Sequence, residues 1–264
     1  MAGWVDLSAA DRGLTLYVKD FWQQYPKGYT LNNKNRSIIT QLWPKRAGEL
    51  DFKTTQAAND KVTAIARGSA FGAAKTHNIV FYFHEGGHKE ANSLDVVRGF
   101  SEEALIMPKS QWFADTRALG RLSQKSSFSA PAEESLDMLF DWADRQKHDF
   151  KWYGMIDFGD TLSWYRNDDG DFSYDEWGWH PVGRWGWFNV EAASTHTGSL
   201  LQYLRTGEYK YFRFGRDLAR HIMDIDTCHY NTVANDKRLK KRIYEEYSQV
   251  GSMHRHNANH WGDR

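Results

Sequence analysis

The segment SMHRHNANHW, residues 252–261, contains three histidines: His254, His256 and His260. An imidazole ring near neutral pH can exchange a proton, ligate a metal ion or hydrogen-bond a polar ligand. His256 and His260 would share one face of a helix, which is a spacing compatible with zinc. The cluster contains no acidic residue that would orient zinc ligands. The residues alone leave three interpretations open: a zinc site, an acid–base cluster in which His260 and Trp261 contact a substrate, and a solvent-exposed polar loop.

Polar side chains also recur along a predicted helix over residues 189–206. At 100° per residue, Asn189, His196 and Tyr203 lie at i, i+7 and i+14, on one shoulder of the apolar face. They would face a cleft together, or they would be boundary residues whose hydrogen bonds are met by neighbours. The residues alone leave both interpretations open.

The segment after this helix carries acidic and basic residues in quick succession. Asp217 and His221 stand at i and i+4, where an aspartate either fixes a histidine tautomer or forms an ordinary ion pair on a helix face. Arg220, His229 and Tyr230 add a cation and two acid–base groups to the same region.

Two glycine-rich, aromatic stretches are predicted to be loops: WYGMIDFGD (152–160) and GRWGWFN (183–189). Loops held by a rigid scaffold commonly carry binding groups, and flat indole rings cover the apolar faces of sugars. The candidate binding residues in or beside these loops are Trp152, Asp157, Asp160, Arg184, Trp187 and Glu191.

The acidic segment YRNDDGDFSYDE, residues 165–176, aligns partly with a calcium-binding loop. Asn167, Asp169 and Glu176 fall on ligand positions, but Tyr165 stands where the first aspartate is needed. An acidic turn is the better interpretation. We therefore expect no cofactor, with zinc at the histidine cluster and calcium at this segment as the alternatives.

The elements that must position these groups change in type along the chain. Residues 1–92 contain short alternating segments, 14–18, 37–43 and 78–83, which predict strands of an antiparallel β-sandwich. Residues 93–264 have helical spacing instead, with a helix after Pro131 and two helices joined at Gly207.

A short connection between two helices gives an antiparallel hairpin, the unit of α/α toroids. The sequence therefore predicts an α+β chain, in which part of a β-sandwich (residues 1–92) precedes an incomplete α/α toroid (residues 93–264). Because the sequence stops directly after its histidine cluster, we expect it to be a fragment of a larger protein.

Composition excludes several classes of function. Basic and acidic residues number 34 each, so no overall field attracts nucleic acid or an anionic membrane surface. No apolar stretch is long enough for a membrane helix, and the N-terminus has no signal-peptide pattern. Phe, Trp and Tyr make up 15% of the residues, with 12 tryptophans, which is typical of proteins that handle carbohydrates.

Several longer motifs resemble those of exo-rhamnogalacturonan lyase-like and YetA-like proteins. They are DFWQQYP (20–26), LWP (42–44), GAAKTHNIVFYFH (72–84), WYGMIDFGD (152–160), GRWGWFNVEAASTH (183–196), the Arg220–Asp226 run and GSMHRHNANHW (251–261). The resemblance covers nearly the whole chain. It implies the end of a central β-sandwich followed by the start of a C-terminal α/α toroid. It also implies a secreted or periplasmic location for the full-length protein.

The resemblance further implies a polysaccharide lyase that acts on a uronic-acid-containing polysaccharide or oligosaccharide. β-Elimination needs a cation or amide to neutralise the uronate carboxylate, and an acid–base group to move the proton. Asn189, Arg184 and Arg220 are candidates for the first role. Candidates for the second are His196, His229, Tyr230, His254 and His256.

Two other classes of protein remain open. A glycoside hydrolase needs two carboxylates beside the scissile bond, for which Asp157, Asp160 and Glu191 are candidates. A non-catalytic sugar-binding protein needs only the aromatic rings and the polar loops.

Overall fold

The computed structural model describes residues 3–48, 73–102, 104–149, 152–155, 158–160, 179–180, 183–184, 195–227, 229–230 and 250–251. Within these ranges the chain forms seven β-strands and five α-helices. The strands are antiparallel, and the order of the main elements is strands first and helices afterwards. The predicted α+β class is confirmed.

The first sheet contains β1 (Trp4–Ser8), β2 (Arg12–Val18) and β5 (Ile79–Glu85), in the order β1-β2-β5. A hairpin of β3 (Gly28–Asn32) and β4 (Ser37–Gln41) accompanies it.

Alternation along β2 places one set of side chains in the core of this β part. Leu16 and Val18 are buried with Phe21, and Val5, Tyr29, Ile38 and Ile79 pack around them. Because successive strand residues point to opposite faces, the other set of β2 side chains lies on the opposite face of the sheet.

Polar contacts on that opposite face tie the sheet to the first helix, α1 (Glu90–Ser101). The Thr15 hydroxyl donates to Asp6 at 2.5 Å and lies 2.8 Å from the Ser93 hydroxyl on α1. His84 Nε2 lies 2.8 Å from the same Asp6 carboxylate. Burial opposes ionisation of Asp6, but hydrogen bonds from Ser8, Thr15 and His84 outweigh it and lower its pKa. The contact between Thr15 and Ser93 holds α1 against this face of the sheet.

The helical part contains α2 (Ser110–Thr116), α3 (Ala130–Asp149), α4 (Thr195–Thr206) and α5 (Tyr209–His221). Phe214 and Leu218 of α5 form its core with Phe140 and Ala143 of α3. The short strands β6 (Trp179–His180) and β7 (Gly183–Arg184) pair with each other.

The predicted hairpin forms between α4 and α5. Gly207 has φ +77°, and its N–H donates to the Tyr203 carbonyl at 2.7 Å, which ends α4. After α5 the chain continues into a π-helical turn, Ile222–Asp226. None of the helices in the described ranges is long and apolar enough to cross a membrane.

Asp224 in the π-helical turn joins the helical part to the segment that leads into β5. Its carboxylate accepts hydrogen bonds from the Thr76 N–H at 2.7 Å and the Thr76 hydroxyl at 2.8 Å. Its backbone carbonyl accepts from the Ala74 N–H at 2.8 Å. A second junction runs from the Gly154 N–H to the Gln23 carbonyl, at 2.7 Å.

Candidate functional site

Eight of the predicted site residues lie outside the described ranges. They include the histidine cluster. The acidic segment 165–176 also lies outside these ranges, so its interpretation and that of the cluster stay predictions. The eight residues are Asp157, Trp187, Asn189, Glu191, His254, His256, His260 and Trp261.

Other candidates are placed on known elements. His196 lies in the first turn of α4, and Arg184 ends β7. Tyr203 of α4 packs against Phe212 of α5, with ring centroids 5.3 Å apart. These positions do not by themselves assign a role to any of the three candidates.

Three candidates lie at or just beyond the end of α5. Arg220 is exposed, and its guanidinium lies 3.9 Å from the Asp224 carboxylate. His229 Nε2 lies 2.6 Å from the Met223 carbonyl, and Tyr230 is exposed nearby in sequence. Their roles in catalysis stay predictions.

Two aspartates surround the buried ring of His221. His221 is 0% exposed, and its Nε2 lies 3.6 Å from Asp160 and 3.3 Å from Asp226. Asp217, its predicted partner, instead accepts hydrogen bonds from Lys147 and Arg216. Asp160 belongs to the loop segment 158–160. The contact between Asp160 and His221 therefore holds this segment against α5. Trp152 is also buried, in the preceding part of the same loop region.

Gly159 allows the loop to lie this close to α5. Its φ is +98°, and a Cβ atom there would stand 2.2 Å from the Asp217 carbonyl oxygen. Gly159→Ala is therefore expected to lower the free energy of unfolding by about 1–3 kcal/mol, through backbone strain and overlap. The midpoint of urea denaturation, followed by circular dichroism, measures this change.

The matched control for this prediction is Gly198→Ala in α4. A Cβ atom at Gly198 meets nothing within 4 Å, and alanine is the better helix former. We expect Gly198→Ala to be neutral or stabilising. An equal loss in both variants would contradict the close approach at Gly159.

An open cleft of about 340 Å³ lies between the β part and the helices. This volume is within the range of ligand-binding sites. Its walls come from the end of β2 and the turn after it, the end of α1, the last turns of α3, the loop after α3, and α5. The lining residues are Tyr17, Asp20, Phe21, Trp22, Gln23, Val97, Ser101, Glu102, Asp144, Lys147, His148, Tyr153, Phe158, Arg213, Arg216 and Asp217.

A tyrosine and a histidine are hydrogen-bonded to each other in this cleft. The Tyr153 hydroxyl lies 2.8 Å from His148 Nδ1, and His148 Nε2 lies 3.9 Å from the Asp144 carboxylate. We assign the imidazole proton to Nε2, on the side of the carboxylate, so that Nδ1 accepts from the tyrosine. Burial raises the pKa of Tyr153, the carboxylates of Asp144 and Asp217 add to this, and Arg213 opposes it.

Cations of α3 and α5 line the same cleft. Arg213 is exposed, and it forms no ion pair within the part of the chain that the structure describes. Lys147 and Arg216 bind the Asp217 carboxylate at 2.9 and 2.7 Å. Burial opposes ionisation of Asp217, but these two cations outweigh it and lower its pKa. Arg213 is therefore the cation best placed to receive an anionic group.

Asp20 is another carboxyl group of the cleft, and its environment differs from that of Asp217. It lies in the turn after β2 with φ +52°, and burial, together with the charge of Asp217, raises its pKa. Two carboxyl groups whose environments move their pKa values in opposite directions are the arrangement that divides acid and base roles in many hydrolases.

Little in the sequence indicates the residues that line this cleft. Tyr153 lies within the motif WYGMIDFGD, but His148 lies in the last turn of the preceding helix, and no periodic pattern connects the two. Asp144 and His148 at i and i+4, followed by a tyrosine just beyond the helix end, are the only local signal. Trp22 and Arg213 come from distant parts of the chain and line the same cleft through the fold alone.

Among the described residues, His, Cys, Asp and Glu form no group of three or more that could hold a metal ion.

Comparison with known proteins adds two findings. Residues 103–264 match the family described as PcRGLX-like protein C-terminal alpha/alpha toroid domain. The chain is also 23% identical, over 263 residues, to a Bacillus subtilis (strain 168) protein named "Uncharacterized protein YetA". The match covers 95% of this chain and 28% of that protein, so the chain spans less than a third of the relative's length.

Proposed function

Because this chain belongs to the PcRGLX-like family, whose members are exo-rhamnogalacturonan lyase-like proteins, we propose that it is a polysaccharide lyase. Its substrate is a uronate-containing polymer resembling rhamnogalacturonan, which it cleaves by β-elimination. One observation carries the proposal: the hydrogen-bonded Tyr153–His148 pair lies in an open cleft that Arg213 also lines.

The reaction removes the weakly acidic proton on C5 of a uronate and expels the oxygen on C4. The developing negative charge spreads onto the carboxylate, so a fixed cation there stabilises the transition state more than the ground state. Arg213 fills this role, since a guanidinium binds a carboxylate through two parallel hydrogen bonds.

The two other groups move the protons. As substrate binds, the Tyr153 hydroxyl turns towards the leaving oxygen, which frees Nδ1 of His148. His148 takes the C5 proton while Tyr153 gives its own proton to the leaving oxygen. Afterwards the imidazolium returns a proton to the phenolate along the hydrogen bond between them, so both groups regain their starting states.

This mechanism predicts how activity changes at alkaline pH. Tyr153 must be protonated to act as the acid. Its raised pKa keeps it protonated to a higher pH than an ordinary tyrosine, whose pKa is about 10. Asp144→Asn removes a negative charge that disfavours the phenolate, so the pKa of Tyr153 falls. The alkaline limb of the kcat/KM profile is then expected to move to lower pH.

The matched control for the pH profile is Asp141→Asn. Asp141 lies on the same helix, α3, but it pairs with Lys210 outside the cleft. We expect its alkaline limb to coincide with that of the unsubstituted chain. A limb that stays in place in Asp144→Asn would argue against Tyr153 as the acid.

The direct test is incubation of the chain with rhamnogalacturonan and other uronate polymers. β-Elimination leaves an unsaturated uronate, which absorbs in the ultraviolet, so absorbance is expected to rise. A chelator should leave the rate unchanged, because side chains fill every proposed role. New reducing ends without new absorbance would reject the lyase.

That second outcome would support a glycoside hydrolase, which the carboxyl groups of the cleft favour as an alternative. Asp20, with its raised pKa, would act as the acid, and Asp217, with its lowered pKa, would remain ionised. Asp20→Asn would then abolish cleavage.

The partner implied by the lyase is a uronic-acid-containing polysaccharide or oligosaccharide, and we propose a secreted or periplasmic location for the full-length protein. The candidates outside the described ranges, above all His254 and His256, remain part of the proposal. Their replacement tests whether a further acid–base group takes part in the reaction.

A further inference from the structure

Trp22 is an aromatic residue of the cleft that the β part contributes. Its side chain is 49% exposed, and its ring meets Tyr153 edge to face, with centroids 4.8 Å apart. The neighbouring Phe21 is buried and stacks on Tyr29 at 4.9 Å, so Phe21 serves the core. Trp22 instead presents its ring beside the residues proposed to move protons.

The position of this ring is fixed from two sides. The turn that carries it is closed by the Gln24 N–H, which donates to the Asp20 carbonyl at 2.9 Å. The Gln23 carbonyl next to it accepts from the Gly154 N–H at 2.7 Å, beside Tyr153. A large exposed apolar ring held in one place is costly to leave in water, but it is well suited to bind the flat face of a sugar.

We propose that Trp22 stacks against the sugar unit next to the one whose bond is cleaved, so that the cleft recognises at least two consecutive sugars. Ser101 and Glu102 at the end of α1 line the same cleft and can hydrogen-bond sugar hydroxyls. The assignment of the reacting unit rests on the proposed function, whereas the stacking itself does not require turnover. The ligand class is an oligosaccharide rather than a single acidic sugar.

The test is calorimetric titration of the chain with galacturonic acid and with rhamnogalacturonan tetrasaccharide. Tyr153→Phe is used as the background, so that the ligand is not consumed. Adding Trp22→Ala is expected to weaken tetrasaccharide binding by roughly threefold to tenfold, as expected for one aromatic contact. Binding of the single sugar should not change. Trp22→Phe should keep most of the affinity, whereas Trp22→Leu, which is apolar but not flat, should not.

Trp112 of α2 provides the matched control. It is 56% exposed and lies outside the cleft, so Trp112→Ala should bind both ligands normally. Thermal unfolding of each variant verifies the fold. Unchanged tetrasaccharide affinity in folded Trp22→Ala and Trp22→Leu would overturn the inference, as would an equal loss for both ligands.

Failure of the inference and failure of the proposed function are distinguishable. If no unsaturated uronate forms but Trp22→Ala still weakens tetrasaccharide binding selectively, the lyase fails and the stacking site stands. If elimination occurs and Trp22 has no effect on affinity, the stacking site fails and the lyase stands. Absence of tetrasaccharide binding to the unsubstituted chain would overturn the stacking site.

Discussion

Tyr153→Phe is expected to lower kcat for β-elimination by about 10²–10⁴-fold, the usual contribution of a positioned acid or base. The substitution removes one hydroxyl and leaves the ring, so packing against Trp22 and Phe158 is retained. KM should change little, because the hydroxyl acts on the leaving oxygen in the transition state. Initial rates of ultraviolet absorbance at several polymer concentrations separate kcat from KM.

Two further variants sharpen this result. His148→Ala should cause a loss of similar size, and the double variant should lose scarcely more than either single one, since the pair acts as a unit. Tyr82→Phe, on β5 and outside the cleft, is the matched control and should retain full activity. Near-normal kcat in Tyr153→Phe would exclude its hydroxyl as the proton donor.

Arg213→Ala is expected to lower kcat/KM by about 10²–10³-fold, the range found when one preorganised group that stabilises an anion is removed. The reason is that the carboxylate of the reacting uronate, which is already anionic, gains further negative charge as the C5 proton is removed. Arg213→Lys should restore part of the rate only, because an ammonium cannot form two parallel hydrogen bonds. Rates with the acidic polymer, measured at low and high salt, follow this change.

Arg12 offers a comparison of the same charge. Its guanidinium is exposed and pairs with Asp11, far from the cleft in the fold, so Arg12→Ala should leave kcat/KM unchanged. A similar fall in both variants would mean that overall charge attracts the polymer, rather than that Arg213 acts at the reacting carboxylate.

The secondary structure was largely predictable, because local rules govern it. Alternation in 14–18 and 78–83 reappears in β2 and β5, and the helix expected after Pro131 is α3. Gly207 ends α4 with a positive φ, as its position between two helical patterns indicated. In each case residues close in sequence determine the conformation.

The cleft was not predictable, because its walls depend on how the β part sits against the helices. His221 illustrates the difficulty: its spacing predicted a pairing with Asp217, but the fold buries its ring between Asp160 and Asp226. A polar side chain within a helical pattern does not reveal which tertiary neighbours will surround it.

The separation of Trp22 and Arg213 along the chain has a consequence for refolding. The α4–α5 hairpin depends on neighbouring residues and can form early, whereas the cleft needs contacts between the first strands and the last described helix. Bringing these distant segments together costs conformational entropy before any of the contacts between them stabilises the fold. On the path to the native state, helical content therefore appears before the cleft is assembled.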